Sequence, residues 1–321
     1  MKQPPRDPVV ALGNFDGVHR GHQALIREVV ERVRARSGTA IVLTFEPHPL
    51  KVLSPHLRLR FLTSFEEKAA LLRDLGISNV FHVNFTPEFS RLSPEAFART
   101  LLCEKLAVKE VFVGEGFNFG KDRTGRVEDL RRMGLEMGFT VTSIPTVSRD
   151  GKIVSSSRIR ELLLGGKVRE AAALLGRLYS LEGEVIPGDR RGSGLGFPTA
   201  NLKPPGERVV PSDGVYAAWG VIDGILKKGV AYIGTQPTLG LRERTLELHL
   251  FEPQPELYGK RLRIGFQEWI RGEKVFTSKD ELIGQIRSDI ETAGGFFHPE
   301  PRGSLLQFPE ESRRSGVRAG G

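Results

Sequence analysis

The sequence predicts a two-domain α/β protein, with a doubly wound, Rossmann-like parallel sheet first and a small antiparallel β-barrel second. In the first half, apolar runs that suit buried strands alternate with helical patterns, which is typical of a parallel sheet covered on both faces. Beyond residue 177, short strand-like runs are broken by glycine and proline, which favours a barrel. We place the domains at residues 1–177 and 178–297. Residues 298–321 are dominated by Pro, Gly, Ser and Arg, and we expect a disordered tail there.

Five strands are predicted in the first domain, each an apolar run between helical patterns. They cover residues 9–12, 40–45, 80–83, 110–113 and 140–144. One helix is expected to begin after Ser64, which has capping-box spacing with Glu67, and to stop at Gly76. Another begins at Ser93, because the following proline suits the first turn of a helix. A further helix is expected near residues 127–137.

The second domain is preceded by helical stretches at residues 157–164 and 168–175, and it ends with a helix from Ser278 to Ile290. Between them lie five strand-like runs with turn signals on either side, as expected for an antiparallel barrel. They cover residues 179–186, 215–221, 230–233, 245–250 and 262–269.

The composition is that of a globular protein, with 39% hydrophobic and 27% charged residues. The net charge of +8 comes without a basic block interleaved with aromatics, so we expect phosphorylated small molecules as partners and no nucleic acid. Residues 1–8 lack the apolar core of a signal peptide, and no apolar run could span a bilayer, so no membrane association is expected. Cys103, the single cysteine, fits a reducing cytoplasm. No feature indicates an obligate protein partner.

Residues 13–22, Gly-Asn-Phe-Asp-Gly-Val-His-Arg-Gly-His, lie between the first strand and a helical pattern. A strand, a glycine-rich turn and a helix N-terminus make an anion site, because unpaired backbone N–H groups and the helix dipole point at the turn. His19 and His22 are three residues apart and face the same side, where they could donate to a nucleotide phosphate as charge builds on it. The alternative is an ordinary βα turn with two solvated histidines. No Gly-Lys-Ser/Thr follows, which excludes a Walker loop.

A second glycine-rich loop lies at residues 188–201 in the second domain. Its four glycines in nine residues permit close approach of the backbone to a phosphate. Thr199 and Asn201 alternate on an extended chain, so both oxygens face one side and could hold a magnesium ion that bridges phosphates. The alternative is a barrel loop with ordinary turn glycines.

The predicted strand at residues 245–250 places Glu247 and His249 on one face and leucines on the other. A carboxylate on an inward face is costly unless it is partnered or catalytic. The alternative is an outward-facing Glu247, and alternation alone does not separate the two arrangements.

Five motifs follow one another along the chain. They are residues 13–22, Thr-Phe-Glu-Pro-His-Pro at 44–49, Gly-Glu-Gly-Phe-Asn-Phe-Gly at 114–120, Val-Ser-Ser-Ser-Arg-Ile-Arg at 154–160 and Leu-Gly-Phe-Pro-Thr-Ala-Asn at 195–201. This set resembles the bacterial bifunctional riboflavin kinase/FAD synthetase family, from about residue 9 to about residue 292. The His-x-Gly-His type is shared with other nucleotidyltransferases, whereas the last motif points to flavokinases. The resemblance implies an FMN adenylyltransferase domain, of nucleotidyltransferase type, followed by a riboflavin kinase barrel.

The resemblance also implies the reactions and their reagents. Riboflavin and ATP would give FMN and ADP in the second domain, and FMN and ATP would give FAD and pyrophosphate in the first. The expected partners are thus ATP, riboflavin and FMN, and the expected cofactor is Mg²⁺.

In the first domain, the resemblance implies that His19 and His22 bind the ATP phosphates and stabilise the transition state of adenylyl transfer. His48 and Asn118 would contact the flavin. The remaining residues implied at the nucleotide and its phosphates are Gly13, Asn14, Phe15, Ser156, Ser157 and Arg160.

In the second domain, the resemblance implies that Glu247 is the base that takes the proton of the riboflavin hydroxyl. Thr199 and Asn201 would hold magnesium and ATP. The residues implied at the nucleotide are Gly188, Gly196 and Pro198.

The chain departs from the family pattern at four positions. Gly116 stands where Asp or Asn is usual, which removes a polar group beside the expected flavin site. Ser157 replaces a threonine but keeps the hydroxyl. Ser193 stands where arginine is common, and Leu239 replaces a phenylalanine. These departures bear on substrate affinity more than on the reactions.

Two functions from other classes remain open. One is a nucleotidyltransferase for another small molecule with an unrelated barrel, which a riboflavin kinase assay would distinguish. The other is a flavin-binding regulatory protein without catalysis, against which the intact His19, His22 and Glu247 argue.

Overall fold

The computed structural model describes residues 5–188, 191–203, 206–235, 244–252, 254, 257–302 and 306. The chain forms two compact units. The first comprises Met1–Leu162 and Gly206–Val209, and the second comprises Leu163–Pro205 and Val210–Gly321. The division falls earlier than residue 177, because the helix Val168–Leu175 packs on strands of the barrel.

The first unit is built on a five-stranded parallel sheet. Its strands are β1 (Pro8–Leu12), β2 (Thr39–Glu46), β3 (Asn79–Asn84), β4 (Glu110–Gly114) and β5 (Thr140–Ile144). Their order is β3-β2-β1-β4-β5, with every neighbouring pair parallel. The predicted Rossmann-like sheet is confirmed. Its strand order reverses between β1 and β4, which in such sheets places the ligand crevice at the carboxyl ends of those strands.

Helices connect and cover these strands. They are α1 (Arg20–Arg36), α2 (Pro49–Leu53), α3 (Phe65–Asp74), α4 (Pro94–Phe97), α5 (Val127–Met137) and α6 (Ser156–Leu164). Short 3-10 helices lie at Phe89–Arg91 and Lys121–Arg123, α4 continues as a π-helix at Ala98–Lys105, and a hairpin of β6 (Ser148–Arg149) and β7 (Lys152–Ile153) precedes α6. The cap of α3 is as predicted, because the Glu67 N–H donates to Ser64 Oγ at 3.1 Å.

The second unit contains a closed antiparallel barrel. Its strands are β8 (Tyr179–Ile186), β9 (Ala200–Leu202), β10 (Gly214–Ile222), β11 (Ile225–Thr235), β12 (Arg244–Leu250) and β13 (Arg261–Arg271), in the order β10-β11-β12-β9-β8-β13. The helices are α7 (Val168–Leu175), α8 (Arg191–Gly194) and α9 (Lys279–Gly294). The predicted barrel is confirmed. Only β9 was not expected, since three residues carry too little alternation to be recognised.

A cluster of buried apolar side chains lies around Trp219 of β10 and Phe297, whose rings meet edge to face at 5.0 Å. Leu306 belongs to this cluster, and its carbonyl accepts a hydrogen bond from the Leu178 N–H at 3.1 Å. The rest of the predicted tail beyond residue 302 lies outside the described residues. None of the described helices is both long enough and apolar enough to cross a membrane.

Candidate functional site

The turn after β1 is tightly folded at the carboxyl edge of the sheet. Gly13 donates its N–H to the Leu43 carbonyl at 3.2 Å, and Asn14 is exposed beside it. Phe15 is 1% exposed and has a φ of 53°, a left-handed conformation that costs energy for a bulky residue. Gly17 has a φ of 82°, which glycine adopts freely. The turn therefore lies at the carboxyl edge of the sheet with most of its residues buried and Asn14 exposed.

The two predicted histidines lie side by side at the start of α1. Nδ1 of His19 accepts a hydrogen bond from the His22 N–H at 3.3 Å and so caps the helix. The two rings stack at 3.6 Å, and Phe15 packs edge-on against His22 at 5.2 Å. Because Nδ1 of His19 is an acceptor, its neutral ring carries the proton on Nε2, where it can be donated to a ligand. Nδ1 of His22 is buried without a hydrogen-bond partner among the residues that the structure describes.

The surroundings keep His22 neutral. Its pKa lies well below the usual value, because the ring is buried and because His19 and Lys68 disfavour a further positive charge there. Lys68 is a buried ammonium group that donates to the Asn14 carbonyl at 3.2 Å and to Thr44 Oγ1 at 3.3 Å. Desolvation lowers the pKa of Lys68 as well. The turn therefore offers an anion the neutral imidazole of His22 and, close by, the charge of Lys68.

Asp16 connects the turn to residues outside it through hydrogen bonds. The sequence analysis did not single out this residue. Its carboxylate accepts hydrogen bonds from the N–H groups of Leu62 and Thr63, at 3.0 and 3.2 Å. Arg160 donates from Nη2 to the same carboxylate at 2.5 Å, and Ser156 donates its hydroxyl to the Asp16 carbonyl at 2.9 Å. The sequence signal for Asp16 was its place within the motif at residues 13–22, but nothing in the sequence pairs it with Leu62.

The three residues implied as phosphate contacts in the first domain, Ser156, Ser157 and Arg160, differ in their surroundings. Ser156 and Arg160 are engaged with Asp16, while Ser157 is exposed in the first turn of α6. Arg160 also donates from Nε to the Arg60 carbonyl at 2.8 Å. Ser156 and Arg160 contact the turn after β1, and a contact of any of the three residues with phosphate stays a prediction.

His48 follows β2 at the same edge of the sheet. Its Nδ1 accepts from the Leu50 N–H at 3.2 Å, and its ring lies 5.3 Å from that of Phe61. Burial and the positive charges of Arg160, Lys68 and Lys51 lower the pKa of His48 to about 4. A neutral ring next to an aromatic ring provides a surface on which a flavin ring could stack.

Asn118 follows β4, on the far side of the crevice. It donates from Nδ2 to the Gly116 carbonyl at 2.9 Å, and its Oδ1 accepts a hydrogen bond from the Arg126 guanidinium. Gly116 itself is exposed, has no left-handed φ and has open space where a side chain would begin. A polar side chain at residue 116 would therefore fit without strain.

The candidate kinase site lies on the barrel, where β9 and β12 pair. Thr199 donates its hydroxyl to Glu247 Oε2 at 3.1 Å, and Asn201 lies directly opposite Glu247 in the register. Tyr232 is paired with Glu247 on the other side and donates to Glu273 at 2.7 Å. Burial and these carboxylates raise the pKa of Tyr232. Tyr232 and Glu273 were missed because sequence spacing does not show which strands pair.

The leucines of β12 settle which way Glu247 faces. Leu246, Leu248 and Leu250 are at most 6% exposed, whereas Glu247 is only partly buried. The inward-facing arrangement is therefore wrong, and the carboxylate lies on the outer face of the strand. It is nevertheless partnered there, and on the same face His249 Nδ1 lies 3.0 Å from the Pro198 carbonyl.

The glycine-rich loop comes close to these groups. A Cβ on Gly188 would meet the Asn201 amide, so a side chain there would have to displace the side chain of Asn201. Gly196 has a φ of 88°, and both Gly196 and Pro198 are exposed. Residues 189 and 190 lie outside the described residues, as does Leu239, which stands where the family pattern has phenylalanine.

The donor atoms at this site suit a magnesium ion. A hydroxyl, an amide oxygen and a carboxylate come from Thr199, Asn201 and Glu247, and Mg²⁺ prefers oxygen ligands. In the described part of the chain, no cluster of three His, Cys, Asp or Glu residues could hold a metal ion. The residues present therefore fit an ion held by few protein ligands together with phosphates and water.

Comparisons with known proteins cover both units. A family model described as FAD synthetase matches residues 1–158, and one described as riboflavin kinase matches residues 175–297. The bifunctional riboflavin kinase/FMN adenylyltransferase of Escherichia coli (strain K12) is 38% identical over 301 residues, which cover 92% of this chain and 95% of the relative. The enzyme of that name from Listeria monocytogenes serovar 1/2a is 35% identical over 291 residues, covering 90% and 92% of the two chains.

Among solved structures, the crystal structure of a macrolide-efflux protein from Streptococcus pneumoniae is similar, with a TM-score of 0.84. It is 30% identical in sequence, and the match covers 91% of this chain and 95% of that one. Similarity thus extends over nearly the whole chain in both sequence and structure. The chain belongs to the family of bifunctional riboflavin kinases/FMN adenylyltransferases, with a FAD synthetase domain followed by a riboflavin kinase domain.

Proposed function

We propose that this chain converts riboflavin to FMN on its barrel and FMN to FAD on its parallel sheet, with ATP as the co-substrate of both reactions. One observation carries the assignment of sites. The stacked pair of His19 and His22 and the Thr199–Glu247 pair lie in different compact units, and each follows its own glycine-rich loop. Two phosphate-transfer chemistries therefore have two separate sets of groups.

Adenylyl transfer needs little from the protein beyond positioning. A phosphate oxygen of FMN attacks the α-phosphorus of ATP, a new P–O bond forms, and the bond to pyrophosphate breaks. The nucleophile is already an anion, so no base is required. His19 and His22 donate hydrogen bonds to the phosphates as negative charge shifts to the leaving group, which stabilises the transition state. His48 and Asn118 line the flavin side of the crevice.

Phosphorylation of riboflavin makes a different demand, because its nucleophile is a neutral hydroxyl. The hydroxyl oxygen attacks the γ-phosphorus of ATP, and the bond to ADP breaks. Glu247 takes the hydroxyl proton, as a positioned carboxylate can. Its hydrogen bond from Thr199 holds the carboxylate in place.

Thr199 and Asn201 would hold a magnesium ion with the ATP phosphates, and such an ion supplies neutralisation of the phosphate charge. Gly188, Gly196 and Pro198 form the loop that approaches the nucleotide. A cytoplasmic location and the absence of nucleic-acid, membrane and obligate protein partners stay predictions.

The direct test incubates the purified full chain with riboflavin and magnesium-ATP and follows the flavins by chromatography. FMN should form first and FAD after it. If the chain produces neither flavin, or adenylylates a different small molecule while riboflavin remains unchanged, the proposal is wrong.

A further inference from the structure

Residues 207–209 belong to the first unit, although they lie between β9 and β10 in the part of the chain that matches the riboflavin kinase model. They run beside Phe61 as a short parallel bridge. The Phe61 N–H donates to the Glu207 carbonyl at 2.7 Å, and the Val209 N–H donates to the Phe61 carbonyl at 3.0 Å. A segment from the kinase part of the sequence is thus built into the backbone of the adenylyltransferase unit.

Arg208 anchors this segment through its side chain. The guanidinium donates from Nη2 to the Leu62 carbonyl at 2.6 Å, and its Nη1 lies 2.7 Å from Glu67 Oε2. Both side chains of the ion pair are only 9% exposed. A buried ion pair of this kind holds its two elements in a defined geometry, since a displaced partner would leave a charge unpaired.

Arg208 binds residue Leu62 and the start of α3, and both of these also contact the turn after β1. Leu62 donates its own N–H to Asp16, the carboxylate of that turn. Glu67 precedes Lys68, whose ammonium donates to the Asn14 carbonyl. Phe61, one residue before Leu62, packs its ring against His48. Arg208 is therefore linked to the predicted nucleotide turn through Leu62 and through Glu67 and its neighbour Lys68. It is linked to the predicted flavin residue His48 through Phe61.

We propose that Arg208 is a positioning residue for adenylyl transfer, holding residues 61–63 and the start of α3 so that Asp16, Asn14 and His48 keep their places. The role rests on the proposed placement of the FMN adenylyltransferase site. Arg208 does not touch the predicted substrates itself. It acts through Leu62 and Glu67. Displacement of a substrate-positioning group by about 1 Å can cost on the order of a hundredfold in rate.

Three variants of the full chain test this role. Arg208→Met removes the guanidinium, and Arg208→Lys keeps the charge opposite Glu67 but loses the planar fork that also reaches Leu62. The double variant Arg208→Met/Glu67→Gln removes both charges, so that no buried carboxylate is left unpaired and the fold is preserved. For each protein, kcat and KM for FMN and ATP in FAD formation are measured, together with the rate of riboflavin phosphorylation and the melting temperature.

A matched control probes a buried charge at the other end of the same sheet. Glu110, 2% exposed, begins β4 and lies 3.4 Å from Arg32 and 3.2 Å from Arg36. Glu110→Gln should lower the melting temperature while FAD formation per folded molecule stays within about twofold. This control separates a general loss of stability from displaced site groups.

We expect kcat for FAD formation to fall about tenfold to a hundredfold in Arg208→Met and in the double variant. Arg208→Lys should recover part of that loss, and riboflavin phosphorylation should stay within about twofold in all three. The proposal is overturned if folded Arg208→Met or the double variant forms FAD at the wild-type rate. It is also overturned if kinase and adenylyltransferase activities fall together, or if none of the three variants folds. Absence of FAD formation by the wild-type chain would instead count against the proposed function.

Discussion

The two glycine-rich loops of this protein are held in contrasting ways. The loop after β1 leads into a 17-residue helix, and its side chains His19 and Asp16 are 6% and 5% exposed. The loop before β9 leads into a three-residue strand, and its Gly196 and Pro198 are exposed. The first loop thus places buried side chains at the edge of the sheet, whereas the second loop has exposed residues.

The difference fits the chemistry that we propose for each loop. In the proposed adenylyl transfer the nucleophile is already charged, so fixed donors in the turn suffice, and burial keeps His22 neutral. In riboflavin phosphorylation a proton must leave the nucleophile, and the proposed acceptor is the partly exposed carboxylate of Glu247 beside the Thr199 hydroxyl. Variants that remove one chemistry and spare the other therefore test the comparison.

The largest effect is expected from Glu247→Gln. The amide keeps the shape of the side chain but cannot accept the hydroxyl proton, so riboflavin phosphorylation should fall by about 10² to 10⁴. Supplied FMN should still be converted to FAD. Initial rates with riboflavin and with FMN measure both effects.

A suitable control for that variant is Glu252→Gln. Glu252 lies just beyond β12, is 72% exposed and pairs with Lys227. It should leave both rates unchanged. If Glu247→Gln keeps more than about a tenth of the wild-type kinase rate, the base must be sought elsewhere.

The next effect is expected from His22→Ala. Removal of a preorganised donor to the transition state typically costs about 10² to 10³ in kcat, so FAD formation should fall by that factor while riboflavin phosphorylation is unchanged. His82→Ala serves as the control, because His82 lies on β3 of the same sheet with its ring against Phe65. Equal losses in the two histidine variants would contradict a specific role for His22.

A smaller effect concerns the pH dependence of folding stability through His48. The folded pKa is about 4 and the unfolded value is about 6.5, so the unfolded chain binds the extra proton first as the pH falls. The stability contributed by a neutral His48 is therefore present above about pH 6.5 and lost between there and pH 4. It corresponds to about 2 kcal/mol between pH 7 and pH 5.

His48→Asn keeps a side-chain acceptor for the N–H of Leu50 but does not titrate in this range. Urea unfolding of both proteins at pH 7 and pH 5 should show a smaller acid destabilisation in the variant. An identical pH dependence in the two proteins would show that His48 is not held neutral by the fold.

The smallest effect is expected at Gly116, where the family usually has Asp or Asn. The structure offers open space and an ordinary φ, so Gly116→Asn should be accommodated and could add one hydrogen bond to the flavin. Such a bond contributes about 0.5–1.5 kcal/mol, or roughly twofold to tenfold tighter FMN binding. Calorimetric titration with FMN measures it, with Gly114→Asn, also in open space, as the control. An unchanged dissociation constant in a folded Gly116→Asn protein would count against a flavin contact there.

Much of the fold could be predicted, because its signals are local. The strand at 179–186 and the helix at 168–175 have the predicted bounds, and the cap at Ser64 has the predicted partner. Hydrophobic periodicity and capping spacings need only neighbouring residues. Which strands pair with each other could not be predicted in this way. Nothing local indicates that β9 joins β12, although that pairing brings Asn201 opposite Glu247.

The candidate sites divide in the same way. His19 and His22 could be found because both stand in one short motif, but their stacking could not be derived from helical spacing, since His19 is the extended N-cap residue of α1. Asp16 and Lys68 could not be assigned, since their partners Leu62 and Asn14 lie more than 40 residues away in each case. The orientation of Glu247 was also undecided, because alternation shows that two faces differ but not which one meets the core.

The central claim is that two independent sites carry two consecutive reactions, and the flavin products of two variants test it most directly. Each variant is incubated with magnesium-ATP and either riboflavin or FMN, and the flavins are separated by chromatography. His22→Ala should accumulate FMN from riboflavin with little FAD, whereas Glu247→Gln should form almost no FMN from riboflavin but should convert supplied FMN to FAD. Loss of both reactions in either folded variant would contradict the account.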